Sequence, residues 1–185
     1  MTSKWFAMLG LPLLLSGCGY NTIQTMDESA AAARQQIEVQ LQRRADLVPN
    51  LVETVKGFAA QEERIFTEVA QARAGLAGAV QGGTIGQMAT ANEAMTGALG
   101  RLLAIVENYP LLRSDQNFLR LQDELTGTEN RIAVARTDYN NAVRDYNAYI
   151  RRFPQVLTAK VTGAGAREYF EVTNEANREA PKVTF

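Results

Sequence analysis

The sequence predicts an all-α protein, an antiparallel bundle of long helices. Two observations carry that expectation. Residues 116–153 hold an unbroken seven-residue repeat of Phe118, Leu125, Ile132, Tyr139, Tyr146 and Phe153. Leu121, Thr128, Ala135, Ala142 and Tyr149 follow its first five members at a distance of three. Such a heptad seam implies left-handed, near-parallel packing against other helices. In residues 23–75, Ile37, Leu41, Val48, Val52, Val55, Phe58, Phe66 and Val69 recur mostly three or four apart with charge between them. That spacing puts one apolar stripe on a helix.

The elements follow in order. Lys4 precedes an apolar run from Trp5 to Leu15. This is the charge and length of a secretory signal, and it is short of the about 17–25 residues that span a bilayer. Leu15-Ser16-Gly17-Cys18 closes it. That segment resembles the lipobox of bacterial lipoproteins, in which a peptidase cuts before the cysteine and the cysteine carries acyl chains. Residues 1–17 are therefore expected to leave as a signal peptide, and 18–185 to form the mature domain. Two or more acyl chains anchor a protein stably where one does not. Gly19 stands where an aspartate would favour inner-membrane retention. In a diderm cell the expected location is thus the outer membrane, facing the periplasm.

Pro49 lies inside the first apolar stripe. Proline removes a helix hydrogen bond and kinks or breaks the helix. Asp46 could cap a restart there, with Pro49 in its first turn. The surrounding Arg43–Pro49 segment has no glycine, so one long helix kinked at Pro49 is preferred to a hairpin. Residues 75–86 contain five glycines and read as a loop at the bundle tip. A helix over 87–109 carries Met88, Met95, Leu99, Leu102, Leu103 and Val106, and stops at Tyr109-Pro110. Asp115 is placed to cap the seam helix, 116–153. Residues 154–185 read as short helices, one near 155–161 ending by Gly163 and another near 167–172. There Tyr169 and Phe170 turn inward, and an extended tail, Pro181–Phe185, follows.

Composition excludes much chemistry. The chain has no histidine, which removes the commonest general base and metal ligand. Cys18 is the only cysteine, so neither a Cys/His metal cluster nor a disulfide can form within the chain. No phosphate-binding glycine motif is present. Loss of Lys4 takes the 19 basic residues to 18 against 20 acidic, which leaves no basic excess for nucleic acid. No cofactor or metal is expected.

The polar residues that stand out are Arg43, Arg44, Asp46 and Asn50 around the proline, and Glu129, Arg136, Tyr139 and Asn140 beside the seam. Their spacing fits a structural hydrogen-bonded network. Glu129 would pair with Arg43 or Arg44, and Asn50 would bind backbone freed at Pro49. Such networks fix register more than they add stability. The competing reading is a hydrolytic carboxylate at Asp46 or Glu129. It lacks supporting groups, and no enzyme is expected.

Tyr20-Asn21, Val39–Val52, Val55–Phe58, Ala72–Ala74, Tyr109–Ser114, Leu121–Leu125, Thr128–Ile132, Tyr139-Asn140, Tyr146-Asn147, Phe153-Pro154 and Pro181–Phe185 stand in an order and spacing that resemble the LemA family. The resemblance implies an antiparallel helical bundle on a membrane anchor, mostly outside the cytoplasm, with no catalytic residues to carry over. Many members have an amino-terminal transmembrane helix, and this sequence has a lipobox in its place. Some relatives serve membrane remodelling or organelle formation, and others are encoded near membrane proteases. The expected function is a non-enzymatic scaffold or adaptor in the cell envelope, tied to a membrane through Cys18 and contacting an envelope protein. The alternatives are a regulator of a membrane protease or other envelope enzyme, and a lipid or small-molecule carrier using the bundle interior. The seam is long enough for a homo-oligomer, though one chain can satisfy it.

Overall fold

The computed structural model describes residues 19–171, and among them every regular element is a helix. These are α1 Tyr20–Lys56, α2 Glu63–Gly82, α3 Ile85–Val106, α4 Pro110–Arg113, α5 Gln116–Ile150 and α6 Gln155–Thr162. The expected signal segment, Cys18 and the tail Pro181–Phe185 lie outside the described residues. The described residues divide into two compact units, residues 19–37 with 135–169 and residues 38–134 with 170–171.

In the first unit, the heptad positions Ala135, Tyr139 and Tyr146 of α5 are buried, together with Val143 and Ile150 outside that pattern. From α1 come Ile23, Ala30 and Ile37. Ile23, Tyr146, Ile150 and Ala159 of α6 pack as one cluster, with Met26, Tyr149 and Ala164 against it. The helix α6 ends at Gly163, where the Ala164 N–H donates to the Ala159 carbonyl at 2.9 Å.

In the second unit, Leu41, Ala45, Val48, Leu51 and Val55 of α1 are buried at the three-and-four spacing. Phe66, Val69 and Leu76 of α2, and Met88, Met95, Leu99, Leu102 and Val106 of α3, fill the interior. The helices α2 and α3 pack against each other. Asp115 caps α5, its Oδ1 accepting from the Phe118 N–H at 2.9 Å.

Several boundaries differ from expectation, each for a physical reason. The helix α1 passes through Pro49 without a break and stops at Lys56, well before residue 75. The reversal uses residues 57–62. There the Phe58 and Ala59 N–H groups both return to the Val55 carbonyl, at 3.0 and 2.9 Å, and Ala59 is buried. Phe58 leaves the apolar stripe and is 41% exposed. Gly75, Gly78 and Gly82, expected in a loop, lie within α2. Glycine costs a helix about 1 kcal/mol per residue, a weak preference that packing against α3 overrides.

The α2–α3 turn is only residues 83–84. It is fixed by a capping box in which Thr84 Oγ1 accepts from the Gln87 N–H at 3.2 Å and Gln87 Oε1 accepts from the Thr84 N–H at 2.8 Å. A side chain at Gly83 would meet the Ala79 carbonyl oxygen at 2.6 Å, so the close turn requires glycine. The seam helix ends at Ile150, which leaves Phe153 off the core and 80% exposed. Residues 164–169 form no helix, and side chains from α5 take up the Arg167 N–H and carbonyl and the Glu168 carbonyl. Phe170 turns inward as expected, while Tyr169 is 37% exposed.

Candidate functional site

Each unit has a place where buried polar side chains converge. In the second unit, Arg44 on α1 is 5% exposed. Its Nη1 donates to Asn92 Oδ1 on α3 and meets Glu129 Oε2 on α5, both at 2.6 Å. Burial pulls the guanidinium below its ordinary pKa, and the Glu129 carboxylate opposes that by favouring the charged form. Arg44 Nε is buried without a hydrogen-bond partner, a cost of burying the group. The pair ties α1 to α5 and α1 to α3.

The other expected members sit apart from that pair. Arg43 and Asp46 are exposed and line a shallow open groove with Gln42 and Val80. Asp46 accepts from the Gln42 side-chain amide at 2.9 Å. Asn50 is exposed and does not serve Pro49. A proline leaves the carbonyl four residues earlier without its helical donor. Here that carbonyl is Ala45, and Arg73 Nε of α2 donates to it at 2.9 Å. Asn50 follows the proline and projects to solvent, whereas Arg73 arrives from the packed side.

In the first unit, Arg136 is exposed and Asn140 half-buried. Tyr139 is 2% exposed and its hydroxyl donates to the Glu168 carbonyl at 2.7 Å. Burial pushes its phenol pKa up. Tyr139 thus belongs to a cluster that sequence reasoning missed. Asn147, also buried, accepts from the Arg167 N–H and donates to the Arg167 carbonyl, both at 2.9 Å. Arg167 forms a two-pronged ion pair with Asp27 of α1, Nε to Oδ1 at 2.7 Å and Nη2 to Oδ2 at 2.9 Å. Its guanidinium lies 6.0 Å from the Tyr146 ring centre. Together these contacts strap residues 164–169 across the first unit.

Hydrogen bonding from Arg167 is the main reason the Asp27 carboxyl is held below its usual pKa, against the opposing effect of burial. A depressed carboxylate stabilises the fold above its unfolded pKa, near 3.9, and loses that contribution as pH falls through the lower folded value. Asp27→Asn is therefore expected to be less stable than the native protein at neutral pH. The two should converge in urea unfolding as pH drops below the unfolded carboxylate value. A gap that stays constant into acid would rule out this linkage.

Both clusters hold helices and backbone, and their carboxylates are engaged by guanidinium groups. Among the described residues, no group of three or more acidic, Cys or His side chains is placed to hold a metal. Among the same residues no helix is long and apolar enough to cross a membrane. Neither Asp27 nor Arg167 carried a signal in the sequence, since they are far apart in the chain. The capping box at Thr84-x-x-Gln87 did carry one.

The family model for the LemA family matches residues 33–185. Magnetosome protein MamQ 2 of Paramagnetospirillum magneticum is 34% identical over 175 residues, covering 82% of this chain and 64% of the relative. Magnetosome protein MamQ of Magnetospirillum gryphiswaldense is 34% identical over 174 residues, with the same coverage. The chain thus spans just under two thirds of the length of these curated relatives. The extent of the family match and the level of identity make this chain a member of the LemA family.

Proposed function

We propose that the protein is a non-enzymatic helical scaffold of the cell envelope, held to a membrane by acyl chains on Cys18. The observation that carries this reading is the join between anchor and body. The lipobox ends at Cys18, and α1 begins at Tyr20. Gly19 between them has φ +84°, and a side chain there would clash with the Tyr149 hydroxyl. A long helix, α1, that starts two residues from a lipid anchor is suited to presenting its exposed side chains to other envelope proteins. The naming of relatives as magnetosome proteins supports a role in an assembled cellular structure. In a diderm cell Gly19 favours the outer membrane.

Cys18→Ser is expected to move the protein from the detergent phase to the aqueous phase, or to leave it uncleaved. Mass spectrometry should show loss of the acyl mass. Unchanged partitioning and mass would sink the anchor. Crosslinking in the intact envelope tests the scaffold itself. One or a few recurrent protein partners are expected for the native chain and should be lost in Cys18→Ser. A chain that crosslinks to none overturns the reading.

A further inference from the structure

The end of α5 and the short helix α6 form a corner whose outer surface is unlike the rest of the first unit. Phe153 is 80% exposed, Val161 88% and Leu157 44%. Leu157, Lys160 and Val161 share one face of α6, because residues three and four apart on a helix are neighbours. The opposite face carries Ala159, which packs against Tyr146 and Ile150. So α6 is amphipathic, and its buried side is already used. Its other side offers bulky apolar groups to the outside.

The chain segment that forms this corner carries charge of one sign. Between Asp145 and Glu168 the chain has no acidic residue. Arg151, Arg152 and Lys160 are exposed and form no ion pair among the described residues. Arg167, the remaining cation of that stretch, is committed to Asp27. Exposed aromatic and aliphatic groups with cations beside them in the chain match a surface with anionic headgroups over an apolar layer.

Place decides the occupant. A side chain built at Gly19 would approach Gln155 Cγ, at the start of α6, to 3.1 Å. Gly19 is the residue after Cys18, and neighbouring Cα atoms are about 3.8 Å apart. Lipid carried on Cys18 is therefore tied within a residue of this corner. We propose that the α5–α6 corner is a second, non-covalent membrane contact, which seats the first unit on an anionic lipid surface with Phe153, Leu157 and Val161 inserted and Arg151, Arg152 and Lys160 on the headgroups. The positional part of this proposal rests on the lipid anchor at Cys18, and the test separates the two.

Trp5→Phe removes the only tryptophan in the chain. In that background Phe153→Trp and Asn141→Trp each report one position. Asn141 is an exposed control on α5, about 15 Å before Arg151 at about 1.5 Å per residue. The full chain is placed in vesicles of phosphatidylcholine with phosphatidylglycerol, with and without brominated acyl chains. Phe153→Trp is expected to show blue-shifted emission and several-fold stronger bromine quenching than Asn141→Trp. Equal quenching at the two positions overturns the contact. Quenching should weaken in phosphatidylcholine alone and in high salt. Arg151→Glu, Arg152→Glu and Lys160→Glu together should abolish its dependence on phosphatidylglycerol, and a dependence that survives overturns the basic component. The protein's mass reports acylation separately. An acylated chain with no selective quenching refutes the corner and leaves the anchor standing. Selective quenching without acylation does the reverse.

Discussion

Tyr146→Ala is expected to lower stability by about 3–4 kcal/mol, the range for emptying an aromatic side chain from a packed site. The ring is 2% exposed and is packed with Ile23, Ile150 and Ala159. Three helices meet on it, so its loss leaves a void that none can fill without moving the others. Tyr146→Phe separates packing from the polar contribution of the hydroxyl. It keeps the ring and removes the hydroxyl, which helps hold the Asp27 carboxyl below its usual pKa. A loss of about 1 kcal/mol or less is expected, since a single polar contact adds little net stability. Urea unfolding of both variants gives the comparison. Equal losses would mean that the hydroxyl, and not the ring, holds the site. A loss under about 1 kcal/mol for Tyr146→Ala would mean that the ring does not hold the three helices together.

Glu129→Ala is the second large effect, expected at about 2–3 kcal/mol. Removing one partner of a buried pair costs about 3–5 kcal/mol because the remaining charge is left uncompensated. The Glu129 side chain is 46% exposed, so water screens the pair and the expectation falls below that range. The asymmetry between partners is the sharper test. Arg44→Met removes the buried charge and the unpartnered Nε while keeping an unbranched apolar stem, and Glu129 can then turn to water. That variant should cost less than about 1 kcal/mol. If Arg44→Met proves the more damaging of the two, the pair is not governed by burial of the guanidinium.

These two sites differ in how far the sequence announces them. The heptad that contains Tyr146 is legible because a core position repeats every seven residues over five turns of the pattern, and Phe118, Ile132, Tyr139 and Tyr146 are all buried. The pattern does not say where it stops. Phe153 keeps the spacing but lies past the end of α5. The reversal after Lys56 was invisible because one glycine and a pair of alanines make it, without the Gly/Pro clusters that mark turns. The glycines of α2 misled in the opposite sense, since local preference is small against tertiary packing. The partnership of Arg44 with Glu129 could be offered only as one of two pairings. Asp27 with Arg167, and Asn147 with the Arg167 backbone, had no local signature at all. A hydrogen bond between residues distant in the chain is set by the fold, and helical periodicity encodes only which face is apolar.

The bond from Arg73 to the Ala45 carbonyl also bears on how the chain tolerates change. With proline at 49, that carbonyl has no helical donor and depends on Arg73. With almost any other residue at 49, the backbone N–H would return and Arg73 would become redundant there. The freedom to vary position 73 is therefore conditional on position 49, and each substitution is harmless or harmful according to which came first.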